Sequence, residues 1–79
     1  MNKESLDKKL EEVFRENFDD EDLCISDEMD ASDIEEWDSL SHITLIVATE
    51  EAFGVRFSPS EIETLNNIGE FKKLIMNKL

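Results

Sequence analysis

Between Asp19 and Glu36 the chain places ten acidic residues and no basic one, and this 18-residue stretch separates two runs whose apolar residues recur at helical spacing. A loop of that length is uncommon inside a compact domain unless it is functional or disordered. Here Leu23, Ile25, Met29 and Ile34 are spread among the acids. Four such anchors predict a connection laid across a core rather than one released into solvent.

The flanking runs read as helices. Leu6, Leu10, Val13 and Phe14 share one face, and Asn2 or Ser5 can cap the start, which predicts a first helix over about residues 3 to 17. The second run extends from Leu40 to Phe53 and stops at Gly54. Ser58-Pro59-Ser60-Glu61 supplies an N-cap, a proline at the first helical position and a capping-box glutamate, so a short third helix should end near Leu65. Asn67 repeats the capping logic for a last helix that presents Ile68, Phe71, Leu74, Ile75 and Leu79 on one face. Lys72, Lys73 and Lys78 lie toward its C-terminal end, where the helix dipole favours cations. No segment sustains the period-two alternation of a strand. The expected fold is all-α: a small four-helix bundle, residues 1–79 forming a single domain, with a long loop between helices 1 and 2 and a short third helix.

The second helix is more apolar than one core-facing stripe requires. Leu40, Ile43, Leu45, Ile46, Val47, Thr49 and Phe53 span an arc of roughly 220° at about 100° per residue. Leu45, Thr49 and Phe53 can face the core while Leu40, Ile43 and Val47 form a second edge. The alternative is that the whole helix is deeply buried.

Composition narrows the function classes. Seventy-nine residues leave room for one modest core and none for a separate catalytic lobe. A net charge of −13 argues against nucleic acid and anionic membrane surfaces as natural partners and favours basic protein surfaces, with salt-sensitive contacts. Such a charge also predicts self-repulsion within the compact state. The lone cysteine, Cys24, cannot form an internal disulfide, and no signal-peptide pattern opens the sequence, so the cytoplasm is the expected compartment. Flanked by Leu23 and Ile25, Cys24 reads as a small buried or half-buried apolar residue.

The candidate site is Asp38-Ser39-Leu40, at the junction of the acidic stretch and the second helix. A serine at a helix start is ordinarily just an N-cap. It is also where unpaired backbone N–H groups and the positive end of the dipole would hold a phosphate ester. From Trp37-Asp-Ser-Leu-Ser-His-Ile-Thr-Leu-Ile-Val-Ala-Thr-Glu-Glu-Ala-Phe-Gly-Val-Arg-Phe57 through the proline-initiated segment to the final amphipathic run, the chain resembles the acyl carrier protein family. The first half matches in length and pattern more than in residues.

The resemblance implies that Ser39 is esterified by 4′-phosphopantetheine, whose thiol carries acyl groups as thioesters. It implies that Asp38 helps to position Mg²⁺ and a phosphopantetheinyl transferase during transfer from coenzyme A, and that Leu40 enters the docking contact. Ile43, Val47, Glu50 and Glu51 complete the expected docking set. Partners would be the transferase and enzymes that load or transfer acyl or aminoacyl groups through basic docking patches, visited by a monomeric, non-enzymatic carrier. Many fatty-acid carriers have a strongly acidic recognition helix, whereas this one begins Ser41-His42-Ile43-Thr44, a departure that fits a specialised pathway. An aminoacyl or peptidyl carrier, and an acidic helical adaptor without covalent cargo, are the alternatives.

Three further residue groups invite sharper readings. The acidic stretch lacks both the D-x-[DN]-x-[DN]-G-x5-E order and the glycine of a calcium loop, leaving at most loose association with divalent cations. His42, three residues after Ser39, suggests a Ser-His nucleophilic pair, but no oxyanion-hole loop or orienting carboxylate accompanies it, and a surface histidine tuning partner contact is simpler. Trp37 is either a core anchor or a border of the arm or a docking enzyme.

Overall fold

The computed structural model describes residues 2–79. They form α1 (Lys3–Asn17), α2 (Ser39–Phe53), α3 (Pro59–Glu63) and α4 (Ile68–Lys78), with no strand among the described residues. The expected all-α bundle with a long first loop and a short third helix is what the chain adopts.

Local sequence explains each boundary. Asn2 caps α1, its side chain accepting the Ser5 N–H at 2.8 Å. At the other end Asp19 takes a positive φ of 50°, where the Asp20 N–H reaches back to the Arg15 carbonyl at 3.0 Å. Gly54 closes α2 in the left-handed region at φ 67°, a conformation that disfavours a side chain. The capping box of Ser58 and Glu61 starts α3, and Asn67 caps α4.

α1 packs against both α2 and α4. Leu6, Leu10 and Phe14 from α1, Leu45 and Thr49 from α2, and Ile68, Phe71 and Ile75 from α4 are completely enclosed. Thr49 is the polar member, and its hydroxyl is satisfied by donating to the Leu45 carbonyl at 2.7 Å. The last helix departs from expectation in two respects. Leu79 is exposed, because the helix ends at Lys78 and the residue caps it rather than packing beneath it. Of the three lysines only Lys78 lies in the last turn, where it also pairs with Glu61 at 3.0 Å.

The acidic connection follows the core as its anchors predict. Ile34 is buried, and Leu23, Ile25 and Met29 pack partly against the interior. Backbone contacts reinforce them: the Ile68 N–H donates to Met29 O at 2.9 Å and the Gly69 N–H to Asp27 O at 3.0 Å. That close approach uses the missing side chain of Gly69, since a Cβ there would stand 3.2 Å from the Asp27 carbonyl oxygen. Lys72 completes the attachment, its Nζ 2.7 Å from Asp27 Oδ1 and 3.1 Å from Asp7 Oδ1. Burial works against the Lys72 ammonium, yet the two carboxylates outweigh it and raise its pKa. The same contact holds Asp27 below the usual carboxylate range.

Cys24 is exposed, contrary to the expectation from its neighbours. It lies in a stretch without helix, between the partly buried Leu23 and Ile25, so it is turned outward while they face the core.

Candidate functional site at the start of the second helix

The residue that caps α2 is Asp38, not Ser39. Its side-chain Oδ1 accepts the Ser41 N–H at 2.9 Å, and its carbonyl accepts the His42 N–H at 2.9 Å. Hydrogen bonding from Ser41, its backbone N–H foremost, holds the Asp38 carboxyl below the usual carboxylate range. Ser39 therefore occupies the first helical position, exposed and relieved of capping duty. The other candidate serines are committed elsewhere. The Ser41 hydroxyl donates to Glu36 O at 2.7 Å, and Ser58 and Ser60 share a contact at 3.2 Å within the α3 cap. No comparable bond involves Ser39 among the described residues.

Beside Ser39 lies an open groove of about 500 Å³, bordered by Ala31, Trp37, Asp38, His42, Leu65 and Asn66. Its floor joins the core. Trp37 is only 7 % exposed and stacks among Phe14, Phe18 and Phe71, with ring centroids 5.5–6.1 Å apart. The two readings of Trp37 are thus compatible: it anchors the loop and also borders the groove. His42 is not a free surface group. It is half-buried, stacked on Trp37 at 21° between ring planes, and its Nδ1 accepts the indole N–H at 3.1 Å.

The wide apolar arc of α2 divides into two faces. Leu45, Ile46, Thr49 and Phe53 are buried, whereas Leu40, Ile43 and Val47 are 73 %, 60 % and 47 % exposed. Deep burial of the whole helix is therefore excluded. The two glutamates farther along differ. Glu51 is exposed, but Glu50 is half-buried and its carboxylate accepts the Phe57 N–H at 2.8 Å, tying down the turn after α2. The sequence suggests only a docking role for Glu50, because its bonding partner lies in a loop whose path the sequence does not show.

The geometry suits a covalent arm on Ser39: an exposed hydroxyl at the positive end of a helix, beside a groove large enough for a small ligand. The family model described as phosphopantetheine attachment site matches residues 8–75. The chain is also similar to a holo acyl carrier protein from Geobacter metallireducens, known from a solution NMR structure, with a TM-score of 0.86 and 38 % identity over 91 % of this chain and 83 % of that one. No curated protein matched it. A match across most of the chain in sequence pattern, joined to one in three-dimensional structure, places this protein in the acyl carrier protein family, whose members are non-catalytic carriers bearing covalent 4′-phosphopantetheine.

Proposed function

We propose that Ser39 is the attachment residue and that the protein presents acyl intermediates to cytoplasmic partner enzymes in a specialised pathway. The observation that carries the reading is the division of labour at the helix start. Asp38 caps, the Ser41 hydroxyl donates to the Glu36 carbonyl, and Ser39 is left exposed between them. When bound, the arm supplies the thiol on which cargo travels.

The chain's own residues do the rest. The first N–H groups of α2 and its dipole oppose the cost of a phosphodiester charge at Ser39. Asp38, held ionised, offers a carboxylate where Mg²⁺ and the transferase approach. Leu40, Ile43 and Val47 make an apolar docking edge leading away from Ser39, with Glu51 and the outer charge of Glu50 at its far end. The net charge of −13 draws basic docking patches into encounter without fixing them there.

Intact mass of the apo protein after incubation with coenzyme A, Mg²⁺ and a phosphopantetheinyl transferase tests the reading. A single added arm is expected, and an unchanged mass would favour the acidic adaptor.

A further inference from the structure

Hydrogen bonds join the irregular residues before α2 to its first turn on both sides of Ser39. The Ser41 hydroxyl donates to the Glu36 carbonyl at 2.7 Å, and the Trp37 indole N–H donates to His42 Nδ1 at 3.1 Å. Between them Asp38 accepts the Ser41 N–H at its side chain and the His42 N–H at its carbonyl, both at 2.9 Å. The chain thus closes into a buckle whose apex is Ser39 and Leu40, both exposed. The buckle is also referenced to the core. Trp37 is buried and stands edge to face on the enclosed Phe14 at 5.5 Å, and His42 lies against the enclosed Phe71 at 6.0 Å. From α1 the Asn17 side-chain amide donates to the Ser41 carbonyl at 3.3 Å. A helix end held by its N-cap alone is free to fray. Side-chain bonds that span the same turn and lead into the core remove that freedom.

We propose that Ser41 and His42 are positioning residues for the loading reaction: through Glu36 and Trp37 they hold the Ser39 hydroxyl in one place relative to the bundle, so that a transferase docked on α2 meets a nucleophile already in position. The proposal rests on Ser39 as the attachment residue. In that reaction the Ser39 oxygen attacks the phosphorus that bears pantetheine in coenzyme A. The bond from this phosphorus to the bridging oxygen breaks, adenosine 3′,5′-bisphosphate leaves with the electron pair, and the hydroxyl proton passes to a base supplied by the transferase. Misplacing an attacking atom by about 1 Å costs roughly a hundredfold in rate. Docking through Ile43 and Val47, farther along the exposed side of α2, does not depend on the buckle.

Two substitutions separate the hydrogen bond from the packing. His42→Phe keeps a ring against Trp37 and Phe71 but has no acceptor, whereas His42→Asn gives up the ring and places a side-chain oxygen about where Nδ1 stands. Trp37 is the single tryptophan, so its indole N–H signal in proton–nitrogen NMR shows whether the bond persists in each variant. Transferase kinetics are measured with the apo carrier varied at saturating coenzyme A and Mg²⁺, and melting temperatures in parallel. In His42→Phe, kcat should fall roughly tenfold or more with KM for the carrier little changed. His42→Asn should recover most of that rate while melting below His42→Phe, so that rate and stability run in opposite order. Ser41→Ala, which leaves the Asp38 cap intact, should lower kcat through the Glu36 side and keeps the test decisive if neither His42 variant retains the indole bond. Rates that simply follow melting temperature, a loss confined to KM, or an unchanged kcat in both His42→Phe and Ser41→Ala would each overturn the proposal while keeping the attachment reading. A wild-type protein that gains no mass would remove the attachment reading itself.

Discussion

The acidic connection, residues 19–36, and α2, Ser39–Phe53, adjoin in sequence and are held in opposite ways. The connection is crowded with carboxylates, yet it is fixed to the bundle by Ile34, by the backbone bonds from Ile68 and Gly69, and by Lys72 reaching Asp27. The helix is largely apolar, yet it leaves Leu40, Ile43 and Val47 in water. Charge in this chain does not mark a free segment, and hydrophobicity does not mark the core. What distinguishes the regions is the use of each surface: a carboxylate that finds a lysine becomes structure, whereas apolar residues beside Ser39 that find no internal partner stay exposed.

The contrast is broken most severely on the inner face of α2. Leu45 is fully enclosed, so Leu45→Ala should cost roughly 2–5 kcal/mol. Against a total stability of about 4–12 kcal/mol for a domain of this size, that is a large fraction. Denaturant melts would show it, and a loss under about 1 kcal/mol would mean that the inner face is loosely packed.

Lys72→Met tests the pinning of the connection. Lys72 is 12 % exposed, Asp27 faces water and Asp7 is half-buried, so the loss should fall near 1–2 kcal/mol, between roughly 0–1 for exposed pairs and 3–5 for broken buried ones. Its pH dependence is specific. Asp27 is shifted down in the folded state, so its contribution is present above the ordinary carboxylate pKa of about 4 and lost as pH falls through its depressed value. Lys72 is shifted up, so its contribution is present below about pH 10 and lost as pH rises through the raised value. The gap between wild type and variant should therefore be widest in between and close toward both extremes. A gap indifferent to acid would show that Lys72 acts by packing its methylenes rather than by its charge.

Val47→Asp sharpens the comparison from the outer face. Val47 is 47 % exposed, so stability should change by less than about 1 kcal/mol while encounter with a transferase or acyltransferase weakens. Salt should weaken the same encounter only moderately, because the edge is apolar. Binding that collapses between low and physiological salt, with Val47→Asp harmless, would instead assign docking to the acidic connection and Glu51.

Much of this was legible in the sequence because it is written locally. Asn2, Gly54, the Ser58–Glu61 box and Asn67 each act within one helical turn, so the helix ends could be read from them. The split arc of α2 was readable in part: periodicity separates Leu45 from Val47, but only the exposure of Leu40, Ile43 and Val47 decides against deep burial of the whole helix. What escaped depends on the path of the chain. Lys72 lies 45 residues from Asp27, and a favourable place near a helix end was all that its position suggested. His42 looked like a surface group because the bend that brings Trp37 over it lies in the irregular residues before α2. Cys24 defeats an average over its neighbours, because in this irregular stretch burial alternates, with Leu23 and Ile25 partly buried and Cys24 exposed.

The central claim is that Ser39, and no other serine, receives the arm. The direct measurement is a peptide map of the transferase-treated protein, wild type and Ser39→Ala in parallel, with circular dichroism to confirm that the variant keeps its helices. The account predicts one modified peptide carrying the arm on Ser39 and none in the variant. An arm found on Ser41, Ser58 or Ser60, or modification that survives Ser39→Ala, would contradict it.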